Sequence, residues 1–261
     1  MKLYEEITNI LKPLSGIEAI ALSGSSTALI NDSLSDYDIY VYHTSPIDTK
    51  IRKSLLGCLG DGSFGESAFE EGDLIIPKEG PSADIMYRSL DWIEAQIDDV
   101  WEKCNARLGY TTCFIFNVGN SKSLFDRTGK LSSLIERCSS EYPEKLRDNI
   151  IKLNLSMIDN NHAYNFLDQI KIAVRRNDLI SINHRVAAFL ASYFDILFAH
   201  SRILHPGEKK LMGYIDALGV EKPECFAEDI QNILSHSCSE IDALPKSLER
   251  TVDHLEAMLK A

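Results

Sequence analysis

The sequence predicts a two-domain protein: an α/β (α+β) N-terminal half, built as a short mixed sheet flanked by helices, followed by an all-α helical bundle. Three observations carry that prediction. Up to about residue 140, short apolar runs alternate with stretches of helical period. From Pro143 onward nearly every segment has helical period alone. The chain has 261 residues, 44% of them hydrophobic, which is enough for a core in each half. The expected domains are 1–140 and 141–261, with the seam near Ser139–Tyr142.

In chain order, Leu3, Ile7, Ile10 and Leu11 fall at helical spacing within 2–14, and Pro13 with Gly16 ends the run. Ile17–Leu22 reads as a strand, Gly24-Ser25 as a turn and Thr27–Asn31 as a single helical turn. Asp36–Tyr42 reads as the second strand. A helix is expected from Pro46 to Leu59, with proline early and glycine late. Residues 60–82, rich in Gly, Ser, Glu and Pro, read as loop with a short strand at Leu74–Ile76. Ala83–Tyr87 reads as a strand. Ser89 or Asp91 caps a helix carrying Trp92, Ile93, Ile97, Val100 and Trp101. Thr111–Phe116 is rich in β-formers, and Phe125–Gly129 reads as a turn before a helix to about Cys138. The later stripes are Leu146, Ile150, Leu153 and Met157; then Tyr164, Leu167, Ile170 and Val174; then Ile182, Val186, Phe189, Tyr193 and Ile196. A break at His205-Pro206-Gly207 precedes a short helix, and Ile241, Leu244, Leu248, Leu255 and Leu259 stripe the last one.

Composition narrows the function. No apolar run approaches the ~20 residues of a membrane span. The N-terminus turns polar at once, unlike a signal peptide, and the six cysteines are scattered with no C-x-x-C pair. A cytoplasmic protein with reduced, mostly buried thiols is expected. The formal net charge of -12 argues against a grip on long nucleic acid and fits a small-molecule or nucleotide substrate. The oligomeric state is not legible.

The chemistry concentrates between Leu22 and Tyr42. Asp36 and Asp38 stand at i and i+2, so on a strand their carboxylates leave one face, with Cα atoms ~7 Å apart. Like charges on one face repel, and a hard divalent cation such as Mg²⁺ gives them a purpose. Asp84, in a later strand-like run, offers a third carboxylate; Glu70, Glu71, Asp73 and Glu79 compete for that role. Three such carboxylates suit two Mg²⁺ ions about 3.5–4 Å apart, the spacing that serves in-line phosphoryl displacement. Gly24 lets backbone N–H groups approach a phosphate, and Ser25 adds a hydroxyl donor.

These residues resemble the nucleotidyltransferase superfamily of the DNA polymerase beta type. That signature is a Gly-Ser or Gly-Gly turn after a strand, about ten residues, an Asp-hydrophobic-Asp/Glu-hydrophobic run, and a carboxylate on a later strand. Here it is matched by Gly24-Ser25, Asp36-Tyr37-Asp38-Ile39 and Asp84, with Ser23 departing from the usual apolar residue before the glycine. Leu108–Thr112, Leu124–Gly129, Ser192–Asp195 and His205–Lys209 resemble an uncharacterised bacterial two-domain family, similar in architecture to aminoglycoside and lincosamide nucleotidyltransferases. The resemblance implies that Asp36, Asp38 and Asp84 bind metal, that Asp84 or a residue of the helical half helps deprotonate an acceptor hydroxyl, and that Gly24 and Ser25 hold the donor phosphates.

In the helical half, Arg185, Ala188, Ser192, Asp195 and Ala199 share one helix face. With small residues between Arg185 and Asp195, this face is the expected acceptor-binding wall, against the plainer reading of a structural ion pair. Lys209 and Lys210 are within reach of a triphosphate if they are not simply a solvated pair. The expected function is Mg²⁺-dependent transfer of a nucleoside monophosphate from an NTP, ATP by expectation, to a hydroxyl of a small-molecule acceptor, releasing pyrophosphate. The alternatives are a nucleotide sensor or toxin–antitoxin-type partner with little turnover, and transfer to a protein or RNA end.

Overall fold

The computed structural model of the protein describes residues 1–24, 36–68, 70–159 and 161–261. The chain divides into two compact units. One comprises Met1–Glu102 and Phe114–Glu141, the other Lys103–Cys113 and Tyr142–Ala261. No helix among the described residues is long and apolar enough to cross a membrane. The Gly-Ser turn beyond Gly24 and the helical turn expected at Thr27–Asn31 fall outside the described residues.

In the first unit, helix α1 (Leu3–Leu11) leads into β1 (Ile17–Ser23), β2 (Tyr37–His43) and α2 (Thr49–Leu56). Strands β3 (Asp61–Phe64), β4 (Gly72–Ile76) and β5 (Ala83–Ser89) follow, then α3 (Leu90–Ile97), which continues into a wider helical turn at Asp98–Glu102. The unit closes with α4 (Cys113–Gly119), β6 (Lys122–Asp126) and α5 (Lys130–Cys138). The described strands form one mixed sheet in the order β3-β4-β5-β2-β1-β6. Only β2 and β5 pair in parallel; the remaining pairs are antiparallel.

Period two sorts the central strands. Ile39 and Val41 of β2 and Ala83, Ile85 and Tyr87 of β5 lie in one core with Tyr4, Ile7 and Leu11 of α1 and Leu56 of α2. Tyr37 is on the same side, its ring edge-on to Tyr4 at 5.1 Å. The alternate residues Asp38, Tyr40 and Tyr42, with Asp84, Met86 and Arg88, belong to the opposite face. There Arg88 lies over the Tyr40 ring at 4.3 Å, and over Phe114 of α4 at 5.6 Å. One strand pair therefore turns an apolar surface to one side and a polar, aromatic surface to the other.

Three local expectations change. Thr111–Phe116 is not a strand; α4 starts at Cys113. The reason is tertiary. The Thr111 N–H and hydroxyl both donate to the Asp195 carboxylate, and the Thr112 hydroxyl accepts from the His205 N–H, so this backbone is committed elsewhere despite its β-branched residues. Phe125 and Asp126 end a strand, β6, rather than forming a turn. The Asp126 carboxylate then accepts from Gly129 N–H and Ser132 N–H, starting α5. The stretch expected as loop also holds β3, too short and polar to announce itself. Of the thiols expected to be mostly buried, the fold leaves Cys58, Cys225 and Cys238 exposed.

The second unit contains α6 (Glu144–Ser156), α7 (Phe166–Arg175), α8 (Leu179–His200), α9 (Leu211–Leu218), α10 (Phe226–Cys238) and α11 (Leu244–Lys260). Helix α10 has only three fully committed apolar positions, Phe226, Ile230 and Ile233, which hid it in the sequence. Ser192–Ala199, the C-terminal part of α8, is buried without interruption. A helix buried all round needs cover on every side. Helices α6, α7 and α10 supply part of it, and residues 103–113 supply more. Gly109 fits here with φ +72, where an added Cβ would come 2.8 Å from that of Ala191.

Candidate active site

The register of β2 decides what stands beside the aspartates. Asp38 pairs with Ser23 of β1 on one side and with Asp84 of β5 on the other. Neighbouring strands lie about 4.8 Å apart, and paired residues share a face. Asp38 and Asp84 are thus adjacent carboxylate bearers on the polar face. Asp36 stands two residues earlier, just ahead of β2, and its carboxylate accepts a 2.6 Å hydrogen bond from Ser82 Oγ. The next backbone N–H, that of Tyr37, donates to the Ser82 carbonyl at 2.9 Å.

Three of the competing acids are engaged by arginines. Glu70 takes both Nε and Nη2 of Arg88 at 2.8 Å. Glu71 and Asp73 meet Arg52, whose guanidinium is 0% exposed, at 2.6 and 3.3 Å. Tyr87 Oη also donates to Asp73 at 2.9 Å, and Arg52 lies 4.2 Å over the Tyr87 ring. Burial raises the Asp73 pKa, an effect the Tyr87 hydrogen bond and Arg52 oppose. This knot ties α2 to β4 and β5. Glu79 is exposed between β4 and β5.

Gly24 closes the polar face at the end of β1. Its φ is +63, and a Cβ there would sit 1.7 Å from Asp38 Oδ2 and 2.8 Å from Asp38 Cβ. The Asp38 carboxylate therefore occupies space beside Gly24 that any side chain would fill. Ser23, the polar residue in a usually apolar place, donates from Oγ to the Asn117 carbonyl of α4 at 3.3 Å. Tyr40, next on this face, has its phenol pKa raised by burial first; Arg88 opposes that, and the Asp38 charge adds to it.

The donor set is hard: carboxylate, hydroxyl and backbone groups on one strand pair, with no thiol or imidazole among those named. That chemistry and the cleared space at Gly24 fit Mg²⁺. Among the described residues no three His, Cys, Asp or Glu side chains are drawn together tightly enough to form a complete metal cage. Mg²⁺ does not require one, because it keeps water and substrate phosphate ligands.

Of the other predicted site residues, Ser25 is outside the described set. Arg185, Asp195, Lys209 and Lys210 belong to the second unit. Arg185 is half-buried on α8, while Lys209 and Lys210 are exposed before α9. Asp195 is 1% exposed, and its oxygens accept from Thr111 N–H, Thr111 Oγ1 and Asn154 Nδ2. The face expected to be open is therefore covered at Ser192, Asp195 and Ala199, because residues 103–113 and α6 pack there. Ser82 is not legible in the sequence. A hydroxyl two residues before Asp84 carries no local signal; its meaning comes from the parallel register.

Residues 109–211 match a family described as a domain of unknown function (DUF4037). No curated protein matches the chain. Among solved structures, the chain is similar to the crystal structure of a nucleotidyltransferase-like protein from Exiguobacterium sibiricum 255-15, with a TM-score of 0.48 and 9% sequence identity over 95% of this chain and 74% of the other.

Proposed function

We propose that the protein is a Mg²⁺-dependent nucleotidyltransferase that moves a nucleoside monophosphate from an NTP, with ATP the favoured donor, to a hydroxyl of a small-molecule acceptor. The observation that carries this reading is the pairing of Asp38 with Asp84 across the parallel strand pair β2–β5, beside a glycine that makes room for the Asp38 carboxylate. Asp36, Asp38 and Asp84 hold the metal in this reading. Bound Mg²⁺ supplies charge neutralisation for the donor phosphates. Gly24 leaves the turn backbone open to those phosphates, and Ser25 adds its hydroxyl. Asp84 accepts the proton of the acceptor hydroxyl, whose oxygen forms the new bond to the α-phosphorus while the bond to the β-phosphate oxygen breaks and pyrophosphate leaves. Arg185, Lys209 and Lys210 are the candidates for acceptor and triphosphate contacts in the helical unit, with Asp195 in a supporting position inside it.

The test is transfer of label from an α-labelled NTP to an acceptor panel, with pyrophosphate release followed in parallel. Asp38→Asn is expected to keep the fold and lose activity by more than about a hundredfold, since even outer partners of a metal cost roughly 10–100-fold. Undiminished transfer in that variant would overturn the mechanism. The lack of a ready three-carboxylate cage among the described residues favours one second reading, a nucleotide-binding sensor or toxin–antitoxin-type partner with little turnover. Calorimetry separates the two: Mg²⁺-dependent NTP binding without pyrophosphate release across the panel supports the sensor.

A further inference from the structure

We infer that Ser82 is a positioning residue for the Asp36 carboxylate, and through it for divalent-cation binding on the polar face. The inference rests on the carboxylate-site reading above and deepens it. Asp36 precedes the first residue of β2 and is exposed. Two bonds from Ser82 reach this point: its carbonyl accepts the Tyr37 N–H at 2.9 Å, and its hydroxyl donates to Asp36 Oδ1 at 2.6 Å. The backbone bond sets where β2 begins, and the hydroxyl sets where the carboxylate points.

The parallel register makes this arrangement specific. Asp38 pairs with Asp84 and Tyr37 with Ala83, so stepping back along both strands brings Asp36 level with Ser82. The four positions form a rectangle on one face, with three carboxylates and one hydroxyl. A hydroxyl at the fourth corner has two effects a carboxylate lacks. It adds no charge to a crowded acidic face, and it donates to Asp36, which another carboxylate could not do while ionised. Orientation of a ligand by an outer hydrogen bond is a general requirement of metal sites. Alanine at 82 would keep the backbone bond and lose only the orienting one.

The experiment titrates Mn²⁺ into wild-type protein, Ser82→Ala, Ser82→Thr and Asp36→Asn, with free Mn²⁺ read by electron paramagnetic resonance and thermal unfolding measured without metal. Ser82→Ala is expected to weaken Mn²⁺ binding roughly tenfold, Ser82→Thr to restore it to within about twofold, and Ser82→Ala to have no further effect on top of Asp36→Asn. A merely structural serine would lower metal-free stability and leave Mn²⁺ affinity unchanged. Equal Mn²⁺ binding by wild type and Ser82→Ala overturns the role of Ser82 alone. Absence of Mn²⁺ binding by the wild-type protein overturns the carboxylate-site reading together with it.

Discussion

An alanine at position 24 would place its Cβ 1.7 Å from Asp38 Oδ2, so either the turn or the carboxylate must move. The positive φ of +63 adds about 1 kcal/mol of strain for any side chain. At this chain length that strain lowers the melting temperature by roughly 2–4 °C. The expected outcome for Gly24→Ala is therefore a folded protein, slightly less stable, with Mn²⁺ affinity down about tenfold by the same spin-resonance titration. Wild-type affinity in the variant would mean that Asp38 relaxes without consequence. At this scale the sequence was informative where spacing alone decides. Asp36 and Asp38 at i and i+2, and a glycine after a strand, follow from period two and from the missing Cβ. That Arg52 and Arg88 occupy Glu71, Asp73 and Glu70 is not legible in the sequence, because those arginines come from other elements.

Helix α8 and the segment over it share a proton balance that neither carries alone. Burial pushes Asp195 up to about 7, against the hydrogen bonds from Thr111 and Asn154 that pull it down. Burial holds His205 down to about 4. His205 Nδ1 accepts from Gly207 N–H, which leaves the proton on Nε2, a buried atom with no hydrogen-bond partner among the described residues. Between about pH 4 and 7 folded Asp195 holds a proton that the unfolded side chain has lost, so its contribution falls as pH rises. Between about pH 4 and 6.5 the unfolded chain holds a histidine proton that folded His205 lacks, so this contribution grows as pH rises. The slopes oppose each other, each up to about 1.4 kcal/mol per pH unit. Urea unfolding at pH 4.5 and 6.5 is expected to show little net slope from this pair in wild type, rising stability in Asp195→Asn and falling stability in His205→Asn. Parallel profiles for all three proteins would refute the pairing. The apolar stripes locate α6, α8 and α11, because helical period survives in any packing; the stripe of α7 begins too early, since Tyr164 lies ahead of the helix at φ +65 and is exposed. The sequence makes Thr111–Phe116 strand-like because propensity cannot register that Asp195 and His205 claim both threonines.

For the whole molecule, the helical unit includes eleven residues from the first half of the chain, Lys103–Cys113. They supply Gly109 N–H to Asn154 and both Thr111 bonds to Asp195, and the Thr112 hydroxyl accepts from His205 N–H. A fragment of residues 142–261 would take these partners from Asn154, Asp195 and the His205 N–H, each at a cost of about 1–3 kcal/mol where the group stays buried. The fragment is expected to lack a sharp thermal transition by circular dichroism, and a synthetic peptide of residues 103–113 to restore part of it. A cooperative transition in the fragment alone would show that the excursion is dispensable.

By itself the sequence determined the polar pair of aspartates, the turn glycine, the mixed α/β first half and the helical period of the second, because each depends on neighbours within a few residues. Tertiary structure alone decided that Asp84 stands beside Asp38, that Ser82 stands level with Asp36, and that residues 103–113 lie against α8. Those facts depend on strand register and on which buried donors find which acceptors. A strand shifted by one residue would carry the same local pattern and turn its carboxylates to the other face.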